Sequence, residues 1–211
     1  MGVISNGTTL LDAGALDSGV PTGTMTLIKT LTASSSATLS FVDGASSVVL
    51  DNTYKEYVFK FINIHPATNN ADLGLLASID TGSNYGVATT SSFFESGHSE
   101  NDSTTKLTYI TPFDATQSTG LIKITGSVDD DNESSTSGTL HLFDPSSTTF
   151  VKHFTSSFNR RYDYGSGTPP QWTLNSFVGG YVNTTSAIDA IQFKMDSGNI
   201  DSGIIKMYGI K

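Results

Sequence analysis

The residues best equipped for chemistry fall in three places along the chain. The run Asn159-Arg160-Arg161-Tyr162-Asp163-Tyr164-Gly165 leads into Thr168-Pro169-Pro170-Gln171-Trp172 and holds both arginines and the only tryptophan. Arg, Tyr and Trp bring large contact area at low conformational cost, and Pro pre-orders a loop. Arg160, Arg161, Tyr162, Tyr164 and Trp172 are therefore the candidate contact surface for a partner, or for a glycan whose sugar faces stack on the aromatic rings. The competing expectation puts Trp172 in the core and pairs the arginines with Asp163. The second place is the acidic run Asp129-Asp130-Asp131-Asn132-Glu133. Its hard oxygens suit calcium, but it has no Gly at the sixth position of an EF-hand loop and Leu140 stands at the twelfth, where Glu belongs. A solvated acidic turn is the expected reading.

The third set is the four histidines, His65, His98, His141 and His153, no two of which have metal-finger spacing. Only His98 has carboxylates close by, Glu95, Glu100 and Asp102, in a Gly- and Ser-rich stretch that reads as a loop. His141 and His153 lie in neighbouring strand candidates and would be cross-strand neighbours or simply polar residues of an outer sheet face. No metal and no cofactor is expected. Gly-x-Ser-x-Gly is absent, no phosphate-cradling loop follows a strand, and no carboxylate pair has an apolar pocket around it, so the reading is non-enzymatic.

The elements that position these residues follow from composition. The 211 residues suit one domain. Ser and Thr number 29 each beside 20 Gly, and only 15% of residues are charged. Such a chain is poor in helix formers and suits sheets joined by polar turns, while 36% hydrophobic content supplies a core. A net charge of −9 repels a phosphate backbone or an anionic lipid surface, so nucleic acid is not an expected partner. Without cysteine, disulfides and thiolate chemistry are excluded. The opening residues have neither the basic nor the apolar region of a secretory signal, and no stretch approaches 18 apolar residues, so membrane insertion is not expected. Asn6 stands where a myristoylation motif wants Ser or Thr.

Residues 1–23 are small and polar and end at Pro21-Thr22-Gly23, a hinge signal. They read as an extended N-terminal arm, with Val3, Ile4, Leu10, Leu11 and Leu16 as its apolar assembly contacts. Residues 24–211 read as a single all-β domain, an antiparallel β-sandwich of jelly-roll type. Thr24–Thr32 and Ser36–Val42 are expected to form a hairpin. Tyr54–His65 carries Tyr57, Phe59 and Phe61 on one face and Val58, Ile62 and Ile64 on the other, as a central strand or one lying against a partner does. Further short strands recur about every ten residues, ending with Ile188–Met195 and Gly203–Ile210. At least nine strands with almost no helical periodicity fit a sandwich.

The closing residues Ala187-Ile188-Asp189-Ala190-Ile191-Gln192-Phe193 and Ser197-Gly198-Asn199-Ile200-Asp201-Ser202-Gly203-Ile204-Ile205-Lys206-Met207-Tyr208-Gly209-Ile210-Lys211 resemble the C-terminus of a group of small virion proteins of tailed, largely marine, bacteriophages. The opening Gly2-Val3-Ile4-Ser5-Asn6-Gly7-Thr8-Thr9 and the stretch Phe59-Lys60-Phe61-Ile62-Asn63-Ile64-His65-Pro66 are similar to that group as well. In structural terms the closing segment is expected to make two adjacent strands, with Gly203 permitting a tight turn and Tyr208 and Ile210 packed inward. The resemblance implies a place on a phage particle and no reaction. The expected protein is a structural module of the virion, assembled in the bacterial cytoplasm and built into the particle through its arm, with other virion proteins as partners and a homo-oligomer, a trimer for instance, as its state. A tail-associated module (fibre, collar or host adhesion, with a host-surface glycan as possible ligand) is the first expectation. A capsid decoration protein is the alternative, and a carbohydrate-binding or carbohydrate-active sandwich the third.

Overall fold

The computed structural model describes residues 24–163 and 171–211, together with the backbone of three short strands before them. Those three, β1 (Val3–Ser5), β2 (Thr8–Asp12) and β3 (Ala15–Leu16), form a small antiparallel sheet of their own. Their pairing runs Val3 with Leu11 and Leu11 with Leu16 along the backbone.

The body has β4 (Met25–Ser36), β5 (Leu39–Val42), β6 (Glu56–Pro66), β7 (Leu73–Ser78), β8 (Thr89–Ser99), β9 (Thr105–Tyr109), β10 (Ala115–Ser118), β11 (Ile122–Lys123), β12 (Thr136–Phe143), β13 (Lys152–Asp163), β14 (Gln171–Val182), β15 (Ala190–Met195) and β16 (Ile200–Ile210). One sheet has nine strands in the order β10, β8, β14, β13, β12, β6, β16, β4, with β9 also paired to β8. The other has four, in the order β11, β7, β15, β5. All pairings are antiparallel, and the molecule is an all-β sandwich.

Period-two alternation builds the core. Phe154, Phe158, Leu140, Leu142, Val178, Ile205 and Met207 turn in from the large sheet and are buried. Phe41 and Phe193 of the small sheet meet Phe59 and Phe61 of β6 edge to face, with ring centroids 4.9–5.3 Å apart for the Phe41–Phe59, Phe59–Phe193 and Phe61–Phe193 pairs. These contacts join the two sheets, and each enclosed ring contributes roughly 1.5–3 kcal/mol relative to exposure.

β6 is central, as its two apolar faces led one to expect, but Ile64 lies on the inner face. Asn63 takes a positive φ of 49°, and the register between β6 and β16 shifts there, so Phe61 and Ile64 both point inward. Four other expectations are corrected. β4 and β5 do not pair as a hairpin; β4 joins β16 in the large sheet and β5 joins β15 in the small one. The closing strands likewise part at Ser197-Gly198-Asn199, β15 into one sheet and β16 into the other. In β16 the inward residues are Ile205 and Met207, while Tyr208 lies on the outer face beneath the Lys60 ammonium, 5.4 Å from its ring centroid. Gly203 is needed within the strand and not at a turn: its φ is +122°, and a Cβ there would come within 2.6 Å of the Asn63 carbonyl oxygen.

Candidate functional site

The segment expected to be a contact loop is mostly strand. Arg160, Arg161 and Tyr162 belong to β13 and Trp172 to β14, where Tyr162 and Trp172 are opposite one another. Alternation along β13 puts Arg160 on the inner face, buried at 5% exposure. Its Nη2 donates to Glu95 Oε2 at 2.6 Å and its Nη1 to Ser176 Oγ at 2.8 Å, while Lys106 Nζ lies 2.6 Å from Glu95 Oε1. Gly126 leaves the room, since a Cβ there would strike the guanidinium. Arg160 is thus spent on an interior ion pair and offers no surface to a partner. The expected pairing of the arginines with Asp163 gives way to Glu95 for Arg160 and Glu133 for Arg161, the latter at 2.8 Å. Tyr162 and Trp172 are half-buried. Tyr164 lies outside the described residues, as do the side chains of Val3, Leu10, Leu11 and Leu16; Ile4 is exposed.

Arg161 borders a groove that the sequence reading missed. The groove encloses about 440 Å³ and is lined by Asn63 and His65 of β6, the turn Asn132 to Ser135, and Asp201 and Ser202 of β16. It opens where the bulge at Asn63 and Gly203 breaks the β6–β16 register, and the turn folds over this gap. His65 Nδ1 donates to the Ser134 carbonyl at 2.6 Å, which leaves Nε2 as the acceptor of the neutral ring. Arg161 Nη1 donates to Ser134 Oγ at 3.1 Å and so holds the turn from the other side. Asp201 Oδ1 accepts from Ser35 Oγ at 2.8 Å. The lining is amide, hydroxyl, imidazole and carboxylate, with donors and acceptors interspersed. That set matches the hydroxyls of a polyol. Glu133 is 71% exposed in its side chain and paired with Arg161 at 2.8 Å.

The acidic run is divided between two roles. Asp129 is buried, its Oδ2 accepting the Asp163 backbone N–H at 2.7 Å, and burial pushes its carboxyl up from the ordinary value. Asp130, Asp131, Asn132 and Glu133 are exposed. Among the described residues, no three His, Asp or Glu side chains converge as metal ligands. His98 lies 3.0 Å from exposed Asp102, while Glu95 points the other way, into the interior. His141 is opposite Thr155, not His153, and its Nδ1 is 2.5 Å from Glu56 Oε1; His153 is opposite Tyr181.

The outer face of the large sheet carries a second feature. Tyr109, Phe94 and Phe177 form a row across β9, β8 and β14, with the two phenyl rings stacked at 5.0 Å. Leu107 beside them is 77% exposed. At the opposite edge Met25 and Leu27 are exposed on β4, directly after the arm. Compared with models of known protein families, with curated proteins and with solved structures, the chain matches none.

Proposed function

We propose that this protein is a non-enzymatic structural module of a tailed-phage virion, tail-associated, anchored through residues 1–23 and using the groove beside Arg161 to engage a host-surface glycan. The observation that carries the reading is the groove itself: a polar, polyol-matched cleft framed by two long strands. The resemblance of both ends of the chain to phage virion proteins supplies the placement. Other virion proteins are the partners, and a homo-oligomer, such as a trimer, follows the symmetry of such particles.

The capsid decoration reading is favoured by a different observation. Exposed Met25 and Leu27 lie on an edge strand, next to the arm, where an apolar strip would be covered by neighbouring coat subunits.

The test is the copy number of this protein in purified particles, by quantitative mass spectrometry against the major coat protein. On the order of ten copies supports the tail placement, and on the order of hundreds supports the shell, because copy number follows the symmetry of the site occupied. Absence from particles overturns both and returns the free glycan-binding or carbohydrate-active sandwich to the front.

A further inference from the structure

Three charged side chains from three adjacent strands of the small sheet converge away from the groove. Lys123 ends β11, Asp72 immediately precedes β7, and Asp196 immediately follows β15. Lys123 Nζ contacts Asp72 Oδ2 directly. Asp196 touches both partners: its Oδ1 accepts the Asp72 backbone N–H at 2.9 Å, and its Oδ2 lies 3.7 Å from Lys123 Nζ. The Phe113 ring covers the amine at 4.3 Å. Asp72 is 4% exposed, and its Oδ1 is buried without a hydrogen-bond partner of ordinary geometry.

We propose that Lys123 and Asp72 become joined by an intramolecular amide bond that the folded chain makes by itself, with Asp196 as the catalytic proton carrier. An ion pair in this place is a poor end state. Asp72 is paired on Oδ2 with Lys123, whose side chain is 28% exposed, and a carboxylate taken so far out of water has its charged form disfavoured. Burial pushes the Asp72 carboxyl up, against the pull of Lys123. Asp196 carries one proton from the ammonium to the Asp72 carboxylate, leaving a free amine and a carboxylic acid. The Nζ lone pair attacks Asp72 Cγ, forming the C–N bond. Asp196 then takes the second amine proton and delivers it to the departing hydroxyl, which leaves as water. The balance is ammonium plus carboxylate giving amide plus water, with no oxidant or co-reactant, and Asp196 ends as it began.

The position gives the bond a purpose. β11 is two residues long and an outer strand of the small sheet, paired through Ile122 with Leu75 and Lys123 with Gly74, and beyond it the Ile124 N–H still donates to the Leu73 carbonyl at 2.9 Å. A covalent tie at its end would hold that strand to β7 under pulling or heat that would strip backbone hydrogen bonds alone. This inference stands apart from the virion reading, and either can fail without the other.

Intact mass spectrometry of the full chain under denaturing conditions reads the bond directly. The expected mass is lower than that of the sequence by one water, with fragmentation placing the branch between Asp72 and Lys123. Lys123→Arg is expected to restore the full mass, as is Asp196→Asn with its reactants intact. A wild-type chain of full mass overturns the proposal without recourse to any variant. A water loss that persists in Lys123→Arg also overturns it, since cyclisation at Asp43-Gly44 would then account for the loss. A water loss that persists in Asp196→Asn removes Asp196 from the reaction.

Discussion

Arg160 shows what a single side chain can hide. In the sequence it belongs to an Arg-Arg-Tyr cluster of the kind found at interfaces, yet β13 turns it inward to Glu95. The alternation that would have given this away is masked, because three of the inward positions, Lys152, Ser156 and Arg160, are polar. A buried carboxylate held between two cations is a strong structural commitment. Glu95→Gln should cost about 3–5 kcal/mol in a urea titration, since it leaves Arg160 charged and uncompensated in the interior. A loss near zero would mean that the pair is open to solvent. Asp129 gives the opposite kind of prediction. Burial raises its pKa in the folded state, so the folded chain holds that proton more tightly than the unfolded one. The sign follows: this group opposes folding at neutral pH, and the penalty is relieved as pH falls through the raised folded value toward 3.8. Asp129→Asn keeps an oxygen for the Asp163 N–H. It should therefore melt higher than the wild type at pH 7, with the gap closing toward pH 4.

Among the elements, the strands with a clean apolar period were legible. β6, β15 and most of β16 lie where their patterns put them, and Phe59, Phe61 and Phe193 are enclosed as aromatic residues at alternate positions should be. Pairing was not legible. Sequence neighbours such as β4 and β5 look like a hairpin because the short Ser-rich link permits one, but nothing local records that each has a better partner in a different sheet. The groove was unreadable for the same reason. Asn63, Asn132 and Asp201 come from distant segments and meet only because a bulge displaces β6 against β16. Two substitutions probe this level. Phe193→Ala removes the ring shared by Phe41, Phe59 and Phe61 and should cost about 3–5 kcal/mol of unfolding free energy. Gly203→Ala places a methyl against the β6 backbone in a left-handed conformation, so a loss of about 1–3 kcal/mol is expected together with chemical-shift changes at Asn63 and His65. Unmoved groove resonances would separate the bulge from the groove.

At the scale of the whole molecule, the class was the most legible property, because few charges, many hydroxyls and no helical period leave little but a sandwich. Placement on a particle rests on resemblance and needs particles to test it. The three short strands within residues 1–23 make a small sheet and pair with one another. Their deletion should leave residues 24–211 folded, with a melting temperature within a few degrees of the full chain. Incorporation into virions should fall to background in the same preparation, and normal incorporation would deny the segment its anchoring role.

The seat of β16 between β6 and β4 has a consequence in time. Ser35 and Asp201, hydrogen-bonded side chain to side chain, are 166 residues apart in the chain. β4 and β6 are synthesised early and can join only through a strand made much later. Until it arrives, each offers an unpaired edge, and the loop that must close is nearly the length of the molecule. Folding should therefore be slow and exposed to misassociation while the chain is being made. Once β16 is in place, the same long-range closure makes departure slow as well, so the protein's durability is a matter of rate as much as of equilibrium.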